Sequence, residues 1–136
     1  MTALPGKLLA CALIVAAWPA YATSFECLED DRADCAMQAS GAIQCTDGHE
    51  NPRLRNIKSR LLITEATLKT CILGQCLDPI PVTTLEDAAG RTSLFGVSKT
   101  GVVTVVIIDQ ATRDFIETIT MLGSHTTTKI GRCFRK

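Results

Sequence analysis

The cysteines constrain the fold of this chain more than any other feature of its sequence. The chain has 136 residues and seven cysteines, and one of them, Cys11, lies in a leading apolar segment. The remaining six form an even set, which in a small exported chain is typical of a disulfide framework. Six cysteines allow many pairings. Short separations along the chain favour Cys35–Cys45 and Cys71–Cys76, which leaves Cys27–Cys133 near the two ends of the mature chain.

The spacing of these cysteines argues for structural bridges. Cys71 and Cys76 flank a four-residue turn that contains Gly74, so they lack the C-x-x-C spacing of a thiol oxidoreductase. A zinc site built on cysteines needs two short pairs, and the sequence has only one such pair. We therefore expect structural disulfides, with no metal and no other cofactor.

Residues 1–22 have the pattern of a cleavable signal peptide. Lys7 precedes an apolar run over residues 8–18, and Ala20-Tyr21-Ala22 follows as a cleavage site. The run is shorter than the about 20 apolar residues that span a bilayer. We expect a single disulfide-bonded β domain over residues 23–136, periplasmic or secreted, with no membrane insertion after cleavage. A lipoprotein box ending at Cys11 is the alternative, but its apolar core would follow the cysteine instead of preceding it.

Strand-forming segments dominate the C-terminal half. Residues 92–98, 102–108, 113–122 and 124–134 are separated by short loops, which predicts an antiparallel four-strand meander. The continuous apolarity of residues 102–108 predicts a central strand covered on both faces. Residues 59–71 predict one further strand, with a helix as the alternative. All four phenylalanines that follow residue 22 are expected in the core.

Helix-forming signals are weak in this sequence. Residues 29–40 have a modest helical tendency, and residues 84–87 resemble a capping box that starts one helical turn. The fold predicted is mainly β: a small antiparallel meander sheet or barrel, disulfide-stabilised, with at most one or two short helices. Closure into a barrel would protect the strand edges.

Charge is balanced overall but divided into two opposite blocks. Fourteen basic and fourteen acidic residues give a net formal charge of zero, which provides no general attraction for nucleic acid or an anionic membrane. An acidic block is followed by a basic block, and these charges are either solvated neighbouring faces or a partner-binding surface. The acidic run also lacks the ligand spacing of a calcium loop. The candidate partner-binding residues are Glu29, Asp30, Asp31, Asp34, Arg53, Arg55, Lys58 and Arg60.

No residue of the sequence is predicted to be catalytic. His49 and His125 are the two histidines, and together they could act as acid and base in a small secreted hydrolase. Nothing in the sequence brings the two rings together, and no G-x-S-x-G motif is present.

The hypothesis from sequence is therefore an exported, non-enzymatic binding or interaction domain of unknown ligand, with a protein partner or an inhibitor-like role as the candidate. The early F-x-C and late G-x-C segments, at residues 25–27 and 131–133, resemble those of small exported bacterial β domains, some of which inhibit lysozyme. The signature residues of such inhibitors are not visible here, so the resemblance is one of architecture. The alternatives are the hydrolase and a structural envelope protein, and the sequence leaves the oligomeric state open.

Overall fold

The computed structural model of the chain describes residues 24–48, 57–121 and 125–136. The predicted signal peptide, His49, Arg53 and Arg55 lie outside these ranges. The described residues form ten β-strands and no helix. The strands are β1 (Phe25–Met37), β2 (Ile43–Asp47), β3 (Ser59–Ile63), β4 (Thr67–Ile72), β5 (Gln75–Cys76), β6 (Ile80–Glu86), β7 (Arg91–Val97), β8 (Val103–Asp109), β9 (Asp114–Met121) and β10 (His125–Arg135).

Eight of these strands close into an antiparallel barrel. Their order around the barrel is β1-β3-β4-β6-β7-β8-β9-β10, and the first and last strands pair with each other along their length. β2 and β5 are additions, because β2 pairs with the far end of β1 and β5 pairs with β4. The mainly β, antiparallel and disulfide-stabilised fold predicted from sequence is confirmed.

The C-terminal meander is the part of the prediction that agrees best. β7, β8, β9 and β10 follow one another around the barrel in chain order, each antiparallel to the next. The loops that join β7 to β8 and β8 to β9 are short. Parallel neighbours would need a long crossover connection, so loops of this length require antiparallel pairing. Alternate residues of each strand point into the barrel, so each strand has one buried and one outer set of side chains.

The helical tendency of residues 29–40 is not realised, and that prediction is wrong. Residues up to Met37 belong to β1, which is paired with β10 on one side and with β3 and then β2 on the other. A β-bulge between Glu29 and Asp31 shifts the register with β10. Pairing on both sides of β1 outweighs the modest helix propensity of its alanines, because propensity differences amount to only tenths of a kcal/mol per residue.

The predicted capping box at residues 84–87 is also a strand. β6 runs through Glu86, and Asp87 then shapes the turn into β7. Oδ1 of Asp87 accepts hydrogen bonds from the backbone N–H groups of Ala89 and Arg91. The side chain therefore serves a β-turn, a use that competes with helix capping for the same residue type.

Residues 59–71 form two strands instead of the one predicted. A turn after Ile63 separates β3 from β4, and the two strands pair with each other. The backbone N–H of Thr64 donates to the carbonyl of Thr67, and the two threonine hydroxyls lie 2.8 Å apart. Thr64 and Thr67 thus close a tight hairpin within the segment that was predicted as one strand.

The core fills the part of the barrel nearest the N-terminus of β1. Phe25 and Phe115 are buried there, whereas Phe95 and Phe134 are exposed, so the prediction of four core phenylalanines is wrong for two. β8 is likewise covered on one face only, because its outward residue Ile107 is exposed. The buried apolar residues are Phe25, Cys27, Leu61, Ile63, Leu68, Leu94, Val106, Ile108, Phe115 and Cys133.

Three disulfides join directly opposed residues of neighbouring strands. They are Cys27–Cys133 between β1 and β10, Cys35–Cys45 between β1 and β2, and Cys71–Cys76 between β4 and β5. These are the same three pairs that the cysteine spacing in the sequence favours. Three bridges within one small chain are characteristic of an oxidising environment. Over the described ranges, no helix has the length and apolarity needed to span a membrane.

Gly131 allows β10 to pass close to the bulge in β1. A Cβ at this position would lie 2.7 Å from Cε1 of Phe115 and would overlap the carbonyl oxygen of Leu28. Because the opposing group includes backbone, no rotamer change relieves the overlap. Glycine is therefore required where the barrel seam closes.

Candidate functional site

A charged network occupies the inside of the barrel beyond the apolar core. Glu29 on β1 is buried, and both of its oxygens accept hydrogen bonds from the guanidinium of Arg32, at 2.6 and 2.7 Å. Ser59 on β3 adds its backbone N–H and its hydroxyl, at 2.8 and 2.6 Å from Oε2. Burial alone would raise the pKa of Glu29, but these hydrogen bonds outweigh it and hold the pKa below its ordinary value.

A second buried pair lies beside this network. Lys129 on β10 and Glu117 on β9 are register partners, and Nζ of Lys129 lies 2.9 Å from Oε2 of Glu117. Within the described part of the chain, neither carboxylate oxygen of Glu117 has a hydrogen bond of good geometry. Burial raises the pKa of the Glu117 carboxyl, and the nearby ammonium group of Lys129 offsets this only in part. The two glutamates therefore differ in how well their charge is stabilised.

His125 lies at the polar end of the barrel beside Asp34 and Thr127. The hydroxyl of Thr127 donates to Oδ1 of Asp34 at 2.5 Å and lies 3.3 Å from Nε2 of His125. The ring nitrogen is 3.8 Å from the same Asp34 oxygen. In a hydrolytic triad the histidine lies between the hydroxyl and the carboxylate, whereas here the hydroxyl bonds directly to the carboxylate. The arrangement is that of a polar strand end.

Across the described ranges, no group of three or more His, Cys, Asp or Glu residues is arranged to hold a metal ion. The contact between His125, Asp34 and Thr127 brings together only two side chains of these four types, Asp34 and His125. His49, the other member of the predicted catalytic pair, is outside the described residues.

The described residues of the two predicted charge blocks lie in β1 and in or just before β3, and contacts join the two groups. Arg60 on β3 pairs with Glu26 on β1 at 3.2 Å, and Lys58 contacts the backbone carbonyl of Asp30. Lys136 also reaches Glu26, at 2.8 Å, and the pKa of that carboxyl is lowered chiefly by this hydrogen bond. The interpretation of the blocks as adjoining faces therefore agrees with the strand order.

The candidate partner-binding acids have different surroundings. Glu29 is buried within the barrel, so its carboxylate offers no surface to another protein. Asp34 is largely covered and bonded to Thr127, while Asp30 is exposed and Asp31 is partly exposed. The charges that remain on the outside are thus fewer than the sequence suggests.

A row of isoleucines is exposed on the outer wall of the barrel. Ile107 on β8, Ile116 on β9 and Ile130 on β10 are direct register partners on three adjacent strands. Their exposed fractions are 42%, 49% and 47%. We call these three residues the isoleucine row. Because neighbouring strands lie about 4.8 Å apart, the three side chains form one continuous apolar strip.

Other apolar and polar residues frame the isoleucine row. Ser93 on β7 is the register partner of Ile107, and Leu85 on β6 is the register partner of Ser93, so Leu85 extends the line of the row. Phe95 is half-exposed and lies two residues after Ser93 on the same outer face of β7, opposite Val105. Charged side chains border one side of the row and threonines border the other. These border residues are Asp109, Asp114, Arg132, Thr118 and Thr128.

Sequence reasoning missed this surface although its signal was present. The apolar run of residues 102–108 indicates burial on both faces only if a second layer covers the sheet. In a closed barrel the outward half of the run faces solvent. The outward isoleucines of β9 and β10 then lie beside it, because antiparallel register places every second residue of each strand on the same face.

The fold and its surfaces define a class: a small, closed, antiparallel β-barrel with three cross-strand disulfides and an apolar strip on its outer wall. Comparison of the sequence with models of known protein families gives no match, and neither does comparison with curated proteins or, for the fold, with solved structures. The functional argument therefore depends on the surfaces of this chain alone.

Proposed function

We propose that the chain is an exported, non-enzymatic binding domain with a protein partner, and that the isoleucine row is its main contact surface. One observation carries the proposal: three adjacent isoleucines, each about half exposed, form a continuous strip on one wall of the barrel. Monomeric proteins rarely expose contiguous apolar patches larger than a few hundred Å², and the largest such patch on a monomer often serves binding.

The surroundings of the row support a protein contact. Interfaces between proteins have an apolar centre, with aromatic side chains enriched, and a polar rim. The row provides the centre, Phe95 the aromatic anchor, and the bordering threonines and charges the rim. The wall is a barrel exterior built from paired strands, a shape that suits another protein surface better than a small molecule, which binds in concave sites.

Export supports the same proposal. Three disulfides form and persist in oxidising compartments. Together with the signal-peptide pattern of residues 1–22, they favour the periplasm or the outside of the cell. A cross-linked barrel also keeps its surface strips in a fixed shape, which reduces the entropy lost on binding.

A pull-down from periplasmic extract tests the proposal. Tagged residues 23–136 serve as bait, at low and at high salt, and captured proteins are identified by mass spectrometry. We expect a partner that is retained at high salt, because apolar contacts are not screened by ions. Ile116→Glu places a charge in the middle of the row, and it should reduce capture of that same protein at least tenfold.

Leu77→Glu is the matched control. Leu77 is an exposed aliphatic residue beside β4, on the side of the barrel opposite β9, and it receives the same charge. Capture should persist in this variant. The absence of a partner at both salt concentrations, or equal loss in both variants, would contradict the proposal. A partner captured only at low salt would instead favour the charge blocks as the contact surface.

A further inference from the structure

The outer edge of β2 has no strand beside it in the described part of the chain. β2 pairs with β1 alone, whereas each of the eight barrel strands has a neighbour on both sides. β5 also has a single neighbour, but it is only two residues long. β2 has five residues, which is close to the average length of a strand, so its edge is long enough to pair with another strand.

A hydrogen bond at the end of the β1–β2 ladder shows which backbone groups lie on that edge. The N–H of Gln38 donates to the carbonyl of Ala42 at 2.8 Å, so these two residues are a hydrogen-bonded pair. Hydrogen-bonded and non-hydrogen-bonded pairs alternate along an antiparallel ladder. Gln44 is therefore bonded to β1, whereas Ile43 and Cys45 lie in the non-hydrogen-bonded pairs. The N–H and C=O groups of Ile43 and Cys45 point away from β1, and we call them the open edge.

The open edge lacks the features by which proteins usually block the addition of a strand. Such features include proline or lysine on the edge and a β-bulge. β2 contains neither residue type, and its register with β1 has no shift. The Cys35–Cys45 disulfide also holds β2 on β1. By contrast, the segment around β5 is protected by its short length and by Pro79 and Pro81, which follow it.

We infer that the open edge pairs with the same edge of a second copy of this chain. An edge strand carries both donors and acceptors, so two copies of one edge are complementary when a twofold axis relates them. With the axis at Gln44, the N–H of Ile43 donates to the carbonyl of Cys45 of the second copy. The N–H of Cys45 donates to the carbonyl of Ile43 of the second copy, and the symmetry repeats both bonds.

The side chains of β2 favour this register over the adjacent one. An axis at Cys45 would place Ile43 opposite Asp47 of the second copy, which sets an apolar side chain against a carboxylate. An axis at Gln44 instead places Ile43 opposite Cys45 of the second copy, beside its disulfide. Ile43 is 71% exposed in the single chain, and this contact removes apolar surface from water.

This pairing leaves the isoleucine row exposed and repeats it. Register partners connect β8, β9, β10, β1 and β2 into one continuous outer wall, with β2 at its end. The twofold axis of an edge-to-edge pair is perpendicular to the sheet, so both copies turn the same face outward. The dimer therefore presents two isoleucine rows on one side. The inference goes beyond the proposed function, and it adds avidity for a partner that contacts both rows.

Sedimentation velocity of the mature protein, residues 23–136, tests for the dimer. A short edge buries less than the ~800 Å² per partner of a standard interface, so we expect a weak dimer. The mass should be that of a monomer at micromolar concentration and that of a dimer at millimolar concentration. A protein that stays monomeric at millimolar concentration overturns the inference.

Amide hydrogen exchange, measured by NMR at both concentrations, tests the register. The N–H groups of Ile43 and Cys45 should exchange at least tenfold more slowly in the concentrated sample, because they are bonded only in the dimer. The N–H of Gln44 is bonded to β1 in both states and should change less than twofold. A dimer in which Ile43 and Cys45 exchange as they do in the monomer uses another surface and overturns the inference.

Ile43→Pro removes a donor from the open edge without removing a bond to β1, since this N–H points away from β1. It should raise the dissociation constant of the dimer at least tenfold. Ile43→Val keeps the N–H and most of the apolar surface, and it should raise the constant less than threefold. A folded Ile43→Pro protein that dimerises like the wild type contradicts the inference. The pull-down that depends on Ile116 measures a different surface, so the proposed function stands or fails separately.

Discussion

Glu117 and Lys129 face each other across β9 and β10 inside the barrel, with 2.9 Å between Oε2 and Nζ and almost no solvent exposure. Glu29 and Arg32 form a second buried pair, with two charge-assisted hydrogen bonds. Desolvation of two charges can exceed their mutual attraction unless hydrogen bonds satisfy the remaining lone pairs. The Glu29 pair meets that condition and the Glu117 pair does not.

The first prediction concerns the less satisfied pair. Lys129→Met alone should lower the free energy of unfolding by about 3–5 kcal/mol, because it leaves the Glu117 carboxylate buried and unpaired. Glu117→Leu should cost less, because the raised pKa of Glu117 means that Lys129 offsets the cost of its charge only in part. The double variant Glu117→Leu/Lys129→Met should be as stable as the wild type or more stable, by up to about 4 kcal/mol. Urea denaturation of all four proteins at neutral pH measures this.

The pH dependence of the same series provides a check. The pKa of Glu117 is raised in the folded protein, so its ionised form costs stability above the folded pKa, and that cost disappears as the pH falls through it. The advantage of the double variant over the wild type should therefore shrink on acidification. An advantage that grows as the pH falls would show that Glu117 is well stabilised as a carboxylate.

Glu29 should have the opposite pH dependence. Its pKa is lowered in the folded protein, so its charge contributes stability above the unfolded pKa, and this is lost as the pH falls through the folded value. Glu29→Gln should cost about 3 kcal/mol at neutral pH and progressively less below about pH 4. Glu65→Gln, at an exposed position in the turn between β3 and β4, is the control and should leave the profile close to that of the wild type. A loss for Glu29→Gln that is constant with pH would contradict this account.

The regular part of the fold could be predicted because it depends on local patterns. The alternation of apolar and polar residues over residues 92–134 predicts four strands. The short loops between them require each strand to be antiparallel to the next. The path of β1 could not be predicted, because its strand conformation comes from pairing with β10, whose C-terminal end is about 100 residues away along the chain. The weak helical tendency of residues 29–40 contains no information about that distant partner.

The three disulfides should differ in their effect on stability. Cys27–Cys133 closes the barrel seam with a sequence separation of 106, and Cys71–Cys76 has a separation of 5. In the chain-entropy model the first contributes about 5 kcal/mol and the second about 2 kcal/mol. Cys27→Ala/Cys133→Ala should therefore lower the midpoint of urea unfolding more than Cys71→Ala/Cys76→Ala. Equal shifts would mean that the seam is held mainly by its strand ladder.

Gly131→Val tests the close approach at the seam. The added side chain would overlap the carbonyl oxygen of Leu28 and the ring of Phe115, so we expect a loss of about 3 kcal/mol. Thr128→Val, on the outer face of the same strand, is the control and should change stability by less than about 0.5 kcal/mol. Thermal unfolding followed by circular dichroism measures both, and a Gly131→Val barrel as stable as the control would refute the steric account.

The candidate site was harder to predict than the fold. Charge blocks are visible in a sequence, yet strand pairing joins Arg60 to Glu26, and burial removes Glu29 from the surface. The isoleucine row is invisible until register is known, because its members come from three separate segments.

Hydroxyl-radical footprinting of the mature protein tests the central claim that the isoleucine row is a binding surface. The protein is labelled alone and in complex with the partner isolated by pull-down, and oxidation of each residue is measured by mass spectrometry. The account predicts at least threefold less oxidation of Phe95 and of the isoleucine row in the complex, with Leu77 unchanged. Unchanged oxidation of Phe95 and the row, with protection elsewhere on the barrel, would contradict it.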